Sequence, residues 1–597
     1  VFRLPPGIHR IIDRPLAVRL ALMVVGSIVL GLGDMLGVAI VLPLMEVIIG
    51  GDYSPLLSTI SRMLGDPPRD RLAITLALLM TASFILKSAF GLAFRWWMRA
   101  VTAEAEVRAA TEMFTKVMSA PYWLHRSRSI PEVLRAVYES AGFAYGYVGL
   151  VLGILTELVT IGGLAVTLLL LMPVPTVAAA VYFGLATWLL YTATKRRVAE
   201  LAERLLAVGL RINQTVLQSV NGFREMRLHG LARGAVATFQ ADKRTSAYYS
   251  RLIAFFSELP KYALDLVFFV GVAGLVAVVF STSTPSQGLG MIAVFVAAAS
   301  RILPSLVRLT ASFSGLKASR PGVQVFLYEH LLMDKWERES LAPSTGHFDR
   351  GPIEFQDVHF AYPSTWIPVL KGIDVVIQPG QTVAVVGSSG AGKTTLVDIL
   401  LGLLTPQAGQ VVVAGKSIAD DPVAWRRQVA AVPQDIFILD DTLERNVTMS
   451  DGSEPVDQAR LQRAIERSQL EDVIAELADG LHTRVGERGS RLSGGQRQRL
   501  GIARALYREP DVLVLDEATS ALDNETEYRV TETLRNLQGQ MTIVVVAHRL
   551  STVKHCDLLL FLSEGKVAAS GTFAEVERTN EEFARLVQLG NLGDALG

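Results

Sequence analysis

The chain of 597 residues has one cysteine, Cys556. A lone thiol forms no disulfide within the chain, so no oxidising compartment is required, and a small buried side chain is the simpler reading of this residue. An excess of either charge is also missing: 57 Lys plus Arg meet 57 Asp plus Glu, which gives no reason to expect a nucleic-acid partner. Charged residues are scarce, at 19%, against 50% hydrophobic. The N-terminus shows no signal-peptide cleavage pattern. Residues 8–20 mix His9, Arg10, Asp13 and Arg14 with apolar residues and read as a short helix on the cytoplasmic membrane surface.

The apolar content is concentrated in the first half, in residues 16–49, 72–94, 143–172, 177–191, 262–280 and 291–303. Alone or with flanking residues these stretches reach the ~20 positions that cross a bilayer, so six transmembrane helices are expected. A large soluble helical core is the weaker reading, because the only ionisable groups of residues 16–49 are Arg19, Asp34 and Glu46. Arg95, Arg99, Arg108, Lys116, Arg126, Arg128 and Arg135 follow the second span, and Lys195, Arg196, Arg197, Arg204, Arg211 and further basic residues follow the fourth. Both segments are therefore placed in the cytosol, with the short connections 172–176 and 281–289, which have no Lys or Arg, outside. Mixed charge at helical period predicts that the membrane helices continue into the cytosol. Residues 119–128, where Pro121 interrupts a helix, and 221–233, bounded by Gly222 and Gly230, are the reversal points. Each reads either as a short helix touching the second domain or as a solvated turn. The resulting division is 1–340 for the membrane domain, 341–352 for a linker and 353–597 for a second domain.

The second domain contains the run GSSGAGKTT, comprising Gly387, Ser388, Ser389, Gly390, Ala391, Gly392, Lys393, Thr394 and Thr395. It lies between the apolar run 383–386 and a helical pattern over 394–401, the strand–loop–helix context in which backbone N–H groups wrap nucleotide phosphates. Lys393 is expected to neutralise the β and γ phosphates and the Thr394 hydroxyl to ligand Mg2+, while the helix N-terminus adds partial positive charge. About a hundred residues on stands LSGGQ, with Ser493, Gly494, Gly495 and Gln496. Its small residues let the N–H groups opening the next helix approach a phosphate closely. Residues 512–517, VLVLDE, read as a buried strand ending in Asp516 and Glu517.

From Ile353 onward these motifs, in this order, resemble the nucleotide-binding domain of ABC transporters. The resemblance implies ATP and Mg2+ as ligands. Tyr362 in FAYPST matches the residue that stacks on adenine, and Gln434 in VPQD the glutamine that reaches Mg2+ and the attacking water. Asp516 resembles the Mg2+-holding acid, Glu517 the general base, and His548 in VVVAHRL the histidine that holds the γ phosphate. In this family the LSGGQ segment meets ATP bound by the other subunit, with Asp523 in SALD lining the contact. Two chains are thus needed; intact motifs make a homodimer simpler than a heterodimer. The expected fold is a six-helix membrane domain with long cytosolic extensions followed by an α/β P-loop ATPase domain, in a bacterial cell membrane, with both termini cytoplasmic.

Six spans fused ahead of the ATPase resemble the exporter branch. Residues 33–48, 258–265 and 301–308 look like segments of bacterial flippases for lipid-linked oligosaccharides. No cysteine precedes the first span, so a leader-cleaving peptide exporter is not expected. Lys87, Arg95, Arg301 and Arg308 lie in or near the spans and suit an anionic head group, with Arg301 and Arg308 seven residues apart on one helix face. The alternative is that Arg95 and Arg308 lie beyond the bilayer. Asp34 is either an internal partner or a substrate contact. Leu56, Leu57, Ile60, Met63 and Leu64 repeat at helical spacing, as in a helix lying on the outer membrane surface beside a lipid tail or one packed on the spans. Cargo is thus a lipid-linked oligosaccharide or, alternatively, small peptides or drugs.

Overall fold

The computed structural model describes residues 13–49, 55–171, 173–282, 285–335, 344–363, 365, 367–452, 454–486, 489–516, 532, 535–547 and 553–596. They form two compact units, Val1–Met118 with Arg128–Glu337, and Ser119–Ser127 with Arg338–Gly597.

The first unit is helical. Helix α1 covers Arg14–Ala39 and α2 Val41–Ile49. The stretch 16–49 is therefore broken at Ile40, because Pro43 offers no N–H and its ring crowds the carbonyl four residues back, at Ala39. From Arg14 the chain is already continuous with α1, so residues 14–20 extend the first span and do not form a separate surface helix. Helix α3 covers Pro55–Met63 and α4 Arg69–Met118; α5, Tyr122–Arg126, belongs to the second unit. Then follow α6 (Ile130–Leu134), α7 (Ser140–Leu171), α8 (Pro173–Asn221), α9 (Phe223–Leu228), α10 (Ala232–Thr282) and α11 (Pro285–Asp334). At ~1.5 Å per residue the 50 residues of α4 reach about 75 Å, far beyond a hydrocarbon layer of ~30 Å. Among the described residues four helices are long and apolar enough to cross a membrane, within Arg14–Gly37, Arg69–Met118, Ile130–Leu170 and Thr176–Asn221. The fifth and sixth expected spans fall in α10 and α11, where most side chains of 278–301 lie outside the described set.

Large apolar side chains face outward along these helices, among them Leu86, Leu92 and Leu170, as a surface bathed in lipid allows. Inside, Met23, Phe94, Met113, Tyr145 and Phe326 share one buried cluster. Leu57 of α3 packs with Leu44, Val47, Leu72 and Leu76, whereas Met63 is 83% exposed. The apolar face of α3 is thus divided between its neighbours and the surroundings.

The second unit is α/β. One antiparallel sheet has the order β2-β1-β4-β5, from β1 (Ile353–Ala361), β2 (Pro368–Ile377), β4 (Ala408–Val413) and β5 (Lys416–Ser417). A six-stranded sheet has the order β10-β9-β3-β8-β7-β6. Its strands are β3 (Thr382–Gly387), β6 (Val429–Val432), β7 (Val512–Asp516), β8 (Thr542–Val546), β9 (Leu558–Ser563) and β10 (Lys566–Gly571), all parallel except the edge strand β10. Strands covered on both faces read as continuous apolar runs, and Val383, Val385, Val514 and Val544 are buried accordingly. Helix α12, Lys393–Leu400, follows β3, and α13, Gly494–Tyr507, precedes β7.

Candidate functional site

Strands β3, β8, β7 and β6 are consecutive neighbours in the sheet although far apart in the chain. Their carboxyl ends lead, in that order, into the GSSGAGKTT loop, the segment of His548, the Asp516–Glu517 pair and Gln434. The register pairs Val385 with Val546, Leu515 with Val545 and Val432 with Leu515, so these motifs leave the sheet at one edge, where α/β sheets bind ligands. Asp516 is half-buried and Gln434 exposed. Glu517, His548 and Asp523 lie outside the described residues.

The loop is built around its glycines. A Cβ on Gly387 would collide with the backbone oxygen of Leu562, and Gly392, at φ +101°, would bring one within 2.8 Å of Leu370 Cδ2. Gly390, at φ +83°, has open space where a side chain would stand. The backbone thus curls tightly between β3 and α12 with its outer side free, since Ser388, Ser389 and Gly390 are exposed. Lys393 is buried and its Nζ donates to the carbonyls of Gly387 (2.6 Å) and Ser388 (3.0 Å), which holds the ammonium under the loop. Ala391 is buried and Thr394 exposed in the first turn of α12, while Thr395 is buried and shares a hydrogen bond of 3.2 Å with the Tyr362 hydroxyl. Tyr362 stands edge-on to Phe360, with centroids 5.1 Å apart, so its ring is fixed beside the loop.

LSGGQ opens α13 through a capping box. Ser493 Oγ accepts from Gln496 N–H at 3.2 Å, and Gln496 Oε1 accepts from Ser493 N–H at 2.8 Å. Ser493 and Gly494 remain exposed at the helix N-terminus. The capping function of Gln496 was not part of the expectation for this motif.

A model of the ABC transporter family matches residues 370–520. An ATP-dependent lipid A-core flippase of Cupriavidus metallidurans is 30% identical over 80% of this chain and 80% of its own length. The chain belongs to the ABC transporter family. It is an exporter-type half-transporter, with membrane helices and ATPase on one polypeptide. A lipid A-core flippase of Saccharophagus degradans is 33% identical over 67% of each chain. Another, of Ralstonia nicotianae, is 44% identical, but the match spans only 38% of this chain and 40% of that protein. A solved bacterial Atm1-family ABC exporter with ATP bound shares the fold, with TM-score 0.77 and 24% identity over 96% of this chain and 99% of that one.

In the membrane unit of this ABC exporter, two of the cations singled out from sequence have acidic partners. Lys87 of α4 donates to Asp34 of α1, and Gly33 lets the lysine stem lie close, since a Cβ there would be 3.1 Å from Lys87 Cγ. Arg308 of α11 grips Glu157 of α7 with Nε to Oε1 at 2.6 Å and Nη2 to Oε2 at 3.0 Å, and Nη2 also donates to Ser305 Oγ at 3.0 Å. Glu157 is buried, whereas the arginine is 45% exposed. Lys87 and Arg308 are thus partly neutralised cations, not bare ones. Arg95 is exposed on α4. The side chain of Arg301 lies outside the described set, and Pro304 stands between it and Arg308 within the continuous helix α11.

Glu157 escaped the sequence reading because one acid leaves the run 143–172 strongly apolar. Asp398 of α12 escaped as well. It is buried, its carboxyl is pushed up to about 6 by burial against the pull of Arg126, and Arg126 Nη1 lies 3.3 Å from its Oδ2.

Proposed function

We propose that this ABC exporter is an ATP-hydrolysing flippase that carries a lipid-linked oligosaccharide from the cytoplasmic to the outer side of the membrane by alternating access. The observation that carries the reading is the 30% identity to a lipid A-core flippase over 80% of both chains, which includes membrane helices as well as the ATPase. The domain division behind it is a membrane domain over 1–340, a linker over 341–352 and an ATPase over 353–597, with coupling segments at 119–128 and 221–233.

Tyr362 stacks on adenine, the backbone of 387–392 wraps the phosphates, and Lys393 turns from its carbonyl partners to the β and γ oxygens. The donor set suits Mg2+, a hard cation that takes oxygen ligands: the exposed Thr394 hydroxyl, Asp516 and Gln434. When bound, Mg2+ offsets the charge that develops on the transferred phosphoryl group. Glu517 holds the attacking water as base and His548 holds it against the γ phosphate. Ser493, Gly494, Gly495 and Asp523 serve a nucleotide held by a second copy, so the working unit is a homodimer with two sites. Arg95, Arg301 and the exposed side of Arg308 meet the anionic part of the lipid, with Lys87 and Asp34 near its path.

Replacing Glu517 by Gln should leave ATP binding within about twofold and lower steady hydrolysis by at least about a hundredfold, as loss of a general base does. Purified lipid A-core glycolipid should stimulate the wild-type ATPase. Undiminished turnover in Glu517→Gln would remove the residue from the base position, and stimulation by peptides or drugs in place of the glycolipid would remove the proposed cargo.

A further inference from the structure

Helix α5 belongs to the same compact unit as the ATPase, and its contacts there are specific. Leu124 is buried, and Trp123 packs on the cluster that contains Leu396, Val397 and Leu400 of α12. The final residue of α5, Arg126, reaches Asp398 with Nη1 3.3 Å from Oδ2. Asp398 stands one helical turn after Thr394, on the face of α12 that carries the hydroxyl proposed for Mg2+.

An acid only 6% exposed is rare without a partner, and Arg126 is the cation that supplies one. Burial pushes the carboxyl up to about 6, Arg126 draws it down, and the charge of Asp516 pushes it up again. Asp398 therefore lies within electrostatic reach of the acid that ends β7. A naked carboxylate at 398 would add to the negative field in which a polyphosphate must settle. None of the phosphate-binding motifs makes use of either member of this pair.

We propose that Arg126 is a positioning residue for the ATP site: by pairing with Asp398 it cancels a negative charge behind the phosphate-binding helix, so that polyphosphate binding depends on α5 being docked. This inference rests on the reading of the 387–395 loop as an ATP site and deepens it. Linkage makes the dependence mutual, because whatever α5 docking adds to nucleotide affinity, the nucleotide adds to α5 docking. A guanidinium suits the task, since it stays charged at any working pH while its outer side remains in water.

The test uses the full chain in lipid nanodiscs at pH 8, with equilibrium binding of a fluorescent non-hydrolysable ATP analogue plus Mg2+ and amide hydrogen exchange of residues 122–126 with and without it. Arg126→Gln should weaken binding about tenfold, equivalent to about 1.4 kcal/mol, and Arg126→Lys should stay within about threefold of wild type. The double variant Arg126→Gln/Asp398→Asn should return to within about threefold of wild type, because the charge to be cancelled is gone. The analogue should slow exchange across 122–126 in wild type and not in Asp398→Asn. Thermal unfolding and size-exclusion profiles establish that each variant is folded. Unchanged binding in Arg126→Gln, or a double variant as weak as that single one, would overturn the proposal, leaving the arginine as a fastener of α5. Failure of the ATP-site reading looks different: Lys393→Ala would then bind the analogue as tightly as wild type.

Discussion

Lys393 shows how one residue type can be ready for a ligand while still satisfied without it: its ammonium is buried, yet the loop's own carbonyls accept its hydrogen bonds. Arg308 and Glu157 make the same point in the helical unit, where a half-exposed guanidinium keeps a buried carboxylate company. Arg308→Ala strands that carboxylate and should destabilise the membrane unit by about 3 kcal/mol, whereas Glu157→Gln/Arg308→Gln should cost distinctly less. Thermal unfolding in detergent distinguishes them, and equal losses would show that the pair is not coupled. Cys556 is half-buried, not fully buried, and packs against the apolar cluster of the six-stranded sheet, with its thiol pushed up to about 12 chiefly by burial. Alkylation at pH 8 should therefore be at least about a hundredfold slower than for a free thiol until the protein unfolds; rapid labelling of folded protein would contradict this. The nucleotide residues were legible because their motif states their spacing. Glu157 and Asp398 were not, because their meaning depends on partners 151 and 272 positions away.

At the level of elements, periodicity and breakers disclosed the helices that run far beyond a bilayer's thickness, the chain reversals where the short helices α5 and α9 stand, and the strand that ends in Asp516. The break between α1 and α2 was written in Pro43 but hidden by the unbroken apolar composition around it. Packing between helices was not legible, since it depends on where small residues land. Gly322 of α11 is such a place: a Cβ there would fall 2.7 Å from Phe143 Cβ on α7, and the ring carbons would be nearer still. Because the obstruction includes the root of the side chain, no rotamer change relieves it. Gly322→Ala should cost about 1–3 kcal/mol by overpacking, seen as a lower unfolding temperature of the membrane unit, with Gly322→Ala/Phe143→Ala recovering part of the loss. An unshifted unfolding temperature would mean that α7 and α11 are looser than their contacts imply.

For the whole molecule, the order of motifs along the chain identified the ATPase, but not the sheet order β3-β8-β7-β6 that brings them to one edge. Crossovers of that kind follow from chain topology, which no local pattern records. The membrane half shows the opposite balance: its spans are plain in composition, while its cargo is carried by resemblance to lipid A-core flippases and by a handful of basic residues. The two halves are joined if hydrolysis at the carboxyl ends of these strands moves an amphipathic lipid. The most direct measurement is ATP-dependent movement of a labelled lipid A-core glycolipid across reconstituted vesicles, with Glu517→Gln as the control. Movement should require both ATP and Glu517; vigorous hydrolysis with the label remaining in its original leaflet would rule out a lipid flippase.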